Sequence, residues 1–175
     1  MEEMVVLVDE HDNERGVMEK MEAHEKGVLH RAFSVFVFNQ NDELMLQRRA
    51  FHKYHSGGLW TNTCCSHPRP HEVVMAAGNR RLQEEMGMTA PLEEAFTFVY
   101  RADLDNSLTE HELDHVLVGR TDTQPVINRE EVESWKYMSL QDVRAAIDHT
   151  PAAFTEWFKI CFDQVELHFT RLQTS

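Results

Sequence analysis

The residues Trp60-Thr-Asn-Thr-Cys-Cys-Ser-His-Pro68, followed by His71-Glu-Val-Val-Met-Ala-Ala-Gly-Asn-Arg-Arg-Leu-Gln-Glu-Glu-Met-Gly87, carry the most structural information in this chain. Four residues of the second run recur at intervals of four and predict a helix with one buried face: Val74, Gly78, Leu82 and Met86. Gly87 stands where a helix commonly ends. Just before this helix, Cys65 lies two residues from His67, so a thiol and an imidazole precede its acidic end. Together these groups indicate an enzyme with a metal-dependent site.

Strand patterns surround this helix. Runs rich in apolar, β-branched and aromatic residues predict strands at Met4–Val8, Phe33–Phe38, Glu43–Arg48, Ala95–Tyr100, Leu113–Val118 and Val132–Met138. The polar residues 39–42 predict a hairpin turn between the second and third of these. Ser139 looks like the cap of a further helix, and Phe154–Leu172 has the apolar stripe of a long terminal helix. We therefore expect one domain over residues 1–175, an α/β or α+β fold with a mixed sheet sandwiched between helices.

The composition limits the classes of partner. Seventeen basic against thirty acidic residues give a net charge of −13, which disfavours a nucleic-acid surface but allows a small phosphorylated ligand. The three cysteines, Cys64, Cys65 and Cys161, form no even disulfide framework. No signal peptide or apolar run of membrane-spanning length is visible. A reducing, cytoplasmic location without membrane contact is expected.

Five potential metal ligands are spread over the chain: His24, His30, His67, Glu110 and Glu112. Glu110 and Glu112 would share one face of a strand, and a loop would have to bring His24 to His30. Imidazoles with carboxylates suit Mn²⁺, Fe²⁺ or Zn²⁺ better than Ca²⁺. Alternatively, since the chain has eleven histidines, these are ordinary surface residues.

Three further groups each allow a structural and a functional interpretation. Arg81 and Glu85 share one flank of the predicted helix. They form either a solvent-exposed ion pair or part of a site in which Glu85 helps to bind Mg²⁺ on a phosphorylated ligand. The basic residues Lys20, Arg48, Arg49 and Lys53 belong to an edge strand with positive ends or form a diphosphate clamp. Cys65 is a small core residue or, with a lowered pKa, a reactive thiol.

These motifs resemble the type I isopentenyl-diphosphate Δ-isomerases of the Nudix superfamily. The resemblance rests on residues 16–20, 29–34, 47–50, 59–68, 80–87, 100–101, 110–112 and 153–157, together with His24 and Lys53. As a Nudix box, residues 66–88 are degenerate. Glu72 and Arg80 match, but Ser66 replaces a Gly, and Arg81 replaces a Glu that normally helps assemble the hydrolytic metal centre.

The resemblance implies isomerisation of isopentenyl to dimethylallyl diphosphate without a flavin, by a monomer acting on a small isoprenoid diphosphate. The resemblance implies that one Mn²⁺, Mg²⁺ or Zn²⁺ ion is bound by His24, His30, His67, Glu110 and Glu112, and that Mg²⁺ bound with the substrate contacts Glu85. It implies diphosphate binding by Lys20, Arg49, Lys53 and Arg81. It also implies proton transfer by Cys65, Glu112 and Tyr100 and stabilisation of a carbocation by Trp157. Two rival interpretations are a Nudix-type diphosphate hydrolase and a metal-stabilised binding module without turnover.

Overall fold

The protein is described by a computed structural model, which covers the backbone of residues 3–174 and the side chains up to residue 169. Its elements, in chain order, are β1 (Met4–Val8), β2 (Glu14–Glu19), α1 (Lys20–Lys26), β3 (His30–Phe38), β4 (Glu43–Arg49), β5 (Trp60–Thr61), β6 (Cys64–Ser66), α2 (Val74–Met86), β7 (Leu92–Asp103), β8 (Thr109–Arg120), β9 (Val132–Ser139), α3 (Leu140–His149) and α4 (Glu156–Thr174).

Strand β3 lies at the centre of the sheet because its residues are apolar on both faces. It pairs in parallel with β8 along its whole length, from His30 opposite Glu112 to Phe38 opposite Arg120. On its other side it pairs antiparallel with the short strand β6, where Ser34 lies opposite Cys65. Strand β7 pairs antiparallel with β8 on the far side from β3, and β4 pairs with both β5 and β9. The sheet is therefore mixed, as predicted.

Helices cover both faces of this sheet. The alternate residues Phe33, Val35 and Val37 of β3 pack with the buried residues of α2. Phe36 and Phe38, which point to the opposite face, pack with α3 and α4. The predicted mixed sheet between helices is confirmed. No helix in the described part of the chain is long and apolar enough to span a membrane.

The predicted elements are confirmed with changed bounds. Helix α2 begins at Val74 instead of His71, because His71 has a left-handed backbone (φ 68°) that no helix continues. Gly87 ends it in a left-handed conformation (φ 63°) with a bond from its N–H to the Gln83 carbonyl. Ser139 caps α3 by accepting from the Asp142 N–H. The predicted hairpin exists only at its turn, where Phe38 pairs with Leu44, after which β3 and β4 diverge to other partners.

Candidate active site

The histidine and glutamate part of the site lies on the α4 face of the sheet. Residues two apart on a strand share a face, so His30 and Ser34 of β3 point to the same side as Phe36, which packs against α4. By the same alternation, Glu110 and Glu112 of β8 share the side of Val116, which also packs there. The parallel register places His30 opposite Glu112. Residues from separate segments thereby meet in one place.

Four buried side chains converge at this point: His24, His30, His67 and Glu112. One oxygen, Glu112 Oε2, lies 2.7 Å from His67 Nε2, 2.9 Å from His30 Nε2 and 3.8 Å from His24 Nε2. The loop after α1 brings the rings of His24 and His30 within 5.3 Å of each other, as the sequence required. The ligand atoms lie within 4.8 Å of one another, so this group could hold a metal ion.

The hydrogen bonding of the imidazoles fits a metal ion. His30 Nδ1 lies 2.8 Å from the Val28 carbonyl, an arrangement in which Nδ1 donates and leaves a lone pair on Nε2. That lone pair faces Glu112 Oε2 and His67 Nε2, the latter at 3.3 Å. Both ring nitrogens of His24 are buried without a partner among the described residues. A cation between these atoms would satisfy them together.

Tyr100 links Glu112 to Glu110. Its hydroxyl oxygen lies 2.6 Å from Glu112 Oε1 and 2.9 Å from Glu110 Oε1. One hydroxyl has one proton, so two ionised carboxylates would leave one contact without a hydrogen. Burial and the Glu112 charge raise the pKa of Glu110 well above its usual range. Burial would also raise the pKa of Glu112, but the neighbouring histidines, His67 above all, outweigh it and hold that pKa well below its usual range. When Glu110 carries a proton, its carboxyl group donates to the Tyr100 hydroxyl, which donates to Glu112.

Glu110 lies outside the converging group of four, although the sequence placed it among five ligands. Its described partner is the Tyr100 hydroxyl. Burial and the two carboxyl groups raise the pKa of Tyr100 itself well above 10, so the phenol keeps its proton. The three groups form a buried chain of proton donors and acceptors beside the metal-type cluster.

Cys65 lies on β6, across the central strand from Glu112. Its thiol donates to Asn62 Oδ1 at 2.9 Å and lies 3.6 Å from Ser34 Oγ. Burial and the charge of Asp114 raise the pKa of the thiol, so it is protonated in the substrate-free site. Cys64 points to the other face of the sheet, into the core under α2, and Cys161 is buried on α4.

An apolar wall faces the thiol. Trp157 of α4 and Tyr100 pack with Cys65 in one cluster. The guanidinium of Arg49 lies 5.0 Å from the indole centroid, so this ring already faces one cation. His55 contacts the indole edge to face at 5.6 Å. Burial and the charge of Arg49 lower the His55 pKa to about 3, so this imidazole is neutral at physiological pH.

The other predicted diphosphate-binding residues have carboxylate partners. Lys20 Nζ lies 2.7 Å from Glu3, and Lys53 Nζ lies 2.5 Å from Glu131. Arg49 has no carboxylate within salt-bridge distance among the described residues, and its Nε is buried without a partner. The site therefore contains cations that are already largely neutralised.

Arg81 lies next to the acidic end of α2, as its spacing predicted. Its guanidinium contacts Glu84 at 3.1 Å and Glu85 at 3.0 Å. Glu85 is buried and also accepts from Gln47 at 3.1 Å and from the Cys64 thiol at 3.2 Å. Arg81 thus engages both carboxylates at the acidic end of α2.

These groups surround one cavity of about 140 Å³. This is below the ~300 Å³ typical of sites for drug-sized molecules, so it suits a small ligand. Every residue that the resemblance assigned to the site lines it except His30, which lies in the converging cluster. Arg48, the remaining candidate of the basic group, is not among the lining residues and donates to the Gly58 carbonyl at 2.8 Å. The sequence reasoning missed five lining residues: Glu3, Tyr54, His55, Ser66 and Glu131. Tyr54 and His55 directly follow Lys53 and could have been suspected, whereas nothing in the sequence marked Glu3 or Glu131.

Comparison with known proteins defines the class. A family model, described as the NUDIX domain, matches residues 28–158. A Deinococcus radiodurans crystal structure superposes with a TM-score of 0.74 at 17% identity, covering 90% of this chain and 96% of that one. A MutT protein from Methanosarcina mazei superposes with a TM-score of 0.66 at 16% identity, covering 84% and 96%. These similarities establish the Nudix fold.

Sequence relatives narrow the class further. Isopentenyl-diphosphate Delta-isomerase 2 of Aromatoleum aromaticum is 52% identical over 165 residues, covering 94% of this chain and 87% of the relative. The isopentenyl-diphosphate Delta-isomerase of Pectobacterium atrosepticum is 54% identical over 161 residues, covering 92% and 90%. The chain belongs to the Nudix family, and within it to the isopentenyl-diphosphate Delta-isomerases.

Proposed function

We propose that this protein converts isopentenyl diphosphate to dimethylallyl diphosphate. One structural observation carries the proposal. A buried proton chain, Glu110–Tyr100–Glu112, ends at the metal-type cluster and lines the same small cavity as the Cys65 thiol and the Trp157 indole. The reaction needs an acid and a base near one hydrocarbon, and this cavity offers both from separate strands. The relatives named above support the same assignment.

His24, His30, His67 and Glu112 would hold one divalent ion, for which Mn²⁺, Mg²⁺ and Zn²⁺ are the candidates. Such an ion would increase the acidity of groups bonded to it. Glu85 would contribute to Mg²⁺ that enters with the substrate, since carboxylates and phosphates together suit this ion. In the described geometry Glu110 serves Tyr100, and its role as a fifth ligand stays a prediction.

The first step is protonation of the terminal alkene carbon. An alkene is a poor base, so the acid must be well positioned and shielded from water. Glu112 is ionised in the substrate-free site, so it first takes the Tyr100 proton across 2.6 Å and then delivers it to the alkene, while the neutral Glu110 reprotonates Tyr100 across 2.9 Å. The electron pair of the double bond forms the new C–H bond, which leaves a tertiary carbocation.

The second step removes a proton from C2. Cys65 is the base, and the electrons of the broken C–H bond form the new double bond. Since its thiol pKa is raised in the free site, Cys65 must first lose its own proton. The Ser34 hydroxyl lies 3.6 Å from the sulfur and donates to the Asp114 carboxylate at 2.7 Å, so the thiol proton passes through Ser34 to Asp114. Between the two steps the indole of Trp157 stabilises the cation, a contact that contributes about 2 kcal/mol when desolvated.

The diphosphate provides most of the binding energy because the hydrocarbon has no polar group. Lys20, Arg49, Lys53 and Arg81 line the cavity and are the proposed partners. Arg49 is the member of this group without a carboxylate partner among the described residues, and its Nε makes no hydrogen bond with them. The protein is expected to act as a cytoplasmic monomer.

A diphosphate hydrolase is the second candidate, because the fold is shared with MutT proteins. Arg81 argues against it. Its guanidinium replaces a metal-binding carboxylate and forms ion pairs with Glu84 and Glu85. A positive charge at that position repels the metal centre that hydrolysis requires.

Proton NMR of isopentenyl diphosphate incubated with metal-loaded protein and Mg²⁺ tests the proposal. Signals of dimethylallyl diphosphate are expected, and a phosphate assay on the same sample is expected to stay at background. Released phosphate or pyrophosphate would support the hydrolase instead. Unchanged substrate in a sample with bound metal would indicate a binding module.

A further inference from the structure

Most of the cations at the diphosphate end of the cavity are already paired with carboxylates. Four lysines and arginines line the cavity together with five glutamates: Lys20, Arg49, Lys53 and Arg81 against Glu3, Glu85, Glu110, Glu112 and Glu131. With Glu110 neutral, these side-chain charges balance before the divalent ion at the His/Glu cluster is counted. A diphosphate that enters without cations of its own therefore competes with carboxylates that already pair with Lys20, Lys53 and Arg81.

Glu131 contacts two of these cations. Its Oε2 accepts from Lys53 Nζ at 2.5 Å and lies 3.8 Å from the Arg81 guanidinium. Two of the proposed diphosphate-binding residues, one following β4 and one on α2, therefore share one carboxylate. These cations lower the Glu131 pKa against the effect of its partial burial, so the group is ionised.

The backbone around Glu131 is tied to both neighbouring elements. Its carbonyl accepts from the Ala50 N–H at 3.0 Å, at the end of β4. Its own N–H donates to Asn128, whose N–H in turn donates to the Glu85 carbonyl near the end of α2. The loop thus holds the carboxylate at the cavity while its neighbour Glu130 is exposed.

We propose that Glu131 is a specificity residue that makes the site select the metal complex of a diphosphate over the free anion. Its carboxylate occupies Lys53 and Arg81 in the substrate-free protein and repels a diphosphate that brings no cation. A divalent cation bound to the diphosphate removes much of this repulsion, and the incoming complex takes over the two cations. The inference rests on the proposed function, because it assumes that this end of the cavity binds diphosphate.

Binding of inorganic pyrophosphate to Glu131→Gln tests the inference. The amide keeps the shape and an oxygen that can accept from Lys53, but it removes the charge. Protein loaded with one equivalent of Zn²⁺ is titrated with pyrophosphate by calorimetry, with and without excess Mg²⁺, and its zinc content is checked afterwards. Without Mg²⁺, the variant should bind pyrophosphate roughly tenfold more tightly than wild type, about 1.4 kcal/mol. With Mg²⁺, its affinity should be unchanged or weaker.

Two variants serve as controls. Glu130→Gln removes the same charge from the same loop outside the cavity and should change the affinity less than about twofold. Glu131→Asp keeps the charge and should retain the preference for the Mg²⁺ complex.

Equal responses of Glu131→Gln and Glu130→Gln would overturn the inference, because a general charge effect would then explain both. Weaker binding of both ligand forms by Glu131→Gln would also overturn it, since Glu131 would only be a support for Lys53. If wild type failed to bind the Mg²⁺ complex, the diphosphate end itself would be wrong, and the proposed function would fail with it. Wild type that isomerises the substrate while Glu131→Gln shows no gain would refute the inference alone.

Discussion

Replacing Tyr100 by Phe removes only the phenol hydroxyl and thereby tests the proton chain. The phenol oxygen lies 2.6 Å from Glu112 and 2.9 Å from Glu110, and the residue is 7% exposed. A hydrogen bond to a charged group contributes about 2–3 kcal/mol. If the bond to Glu112 strengthens as the proton moves, its loss should lower kcat roughly 30- to 150-fold, at 1.36 kcal/mol per factor of ten. KM should change little, because the described hydrogen bonds of the phenol go to Glu110 and Glu112 and to no proposed diphosphate-binding residue.

Steady-state turnover measured at several substrate concentrations separates these two parameters. Metal content is determined on the same preparations, since the phenol is not one of the four converging ligands and its loss should leave the bound ion in place. Tyr137→Phe on β9, remote from the cavity lining, is the matched control and should keep wild-type kcat. An unchanged kcat in Tyr100→Phe would refute the chain, and a loss of activity that follows a loss of metal would assign Tyr100 to metal binding instead.

Three further changes have defined outcomes. Cys65→Ala should reduce kcat by at least roughly 10²-fold and leave pyrophosphate affinity in calorimetry within a factor of about two; near-wild-type turnover would remove Cys65 from the mechanism. His55 is neutral when folded, with a pKa of about 3, but takes a proton near pH 6.5 when unfolded, so stability rises with pH between these values. In urea unfolding of metal-free protein, the free energy of unfolding should therefore fall by up to about 2 kcal/mol from pH 7 to pH 5, and this fall should be smaller in His55→Gln. Equal falls in both proteins would contradict the burial of a neutral His55. Phe158→Ala, at a fully buried position in the α4 core, should cost about 3–5 kcal/mol in the same assay at pH 7, and a cost under about 1 kcal/mol would mean that α4 packs differently.

Regular patterns made much of the fold predictable. The spacing of Gly78, Leu82 and Met86 reports directly on burial because α2 packs one face on the sheet. Strand β3 was recognisable because apolar residues on both faces are needed in a central strand. Strand β2 and helix α1 were missed: Glu14–Glu19 is mostly exposed and polar, so it has no alternation that a sequence could reveal.

Site residues that lie in a recognisable local motif could be predicted from the sequence, and those that only the fold brings to the cavity could not. Cys65, His67 and the glutamates of β8 were found through their local sequence context. Glu131 was not, because its contacts are with Lys53 and Arg81, which are distant in sequence and meet it only after the β8–β9 loop attaches to α2. The single-domain organisation, the location and the monomeric state stay predictions.

The central claim is that the cavity adds a proton to one carbon and removes one from another. Proton and deuterium NMR of isopentenyl diphosphate turned over in D₂O with metal-loaded wild-type protein tests it most directly. Wild-type protein is expected to give dimethylallyl diphosphate with solvent deuterium in a methyl group, and Cys65→Ala is expected to give no detectable product over the same time. Product without solvent deuterium would mean direct transfer of hydrogen within the substrate and would contradict a mechanism with separate acid and base.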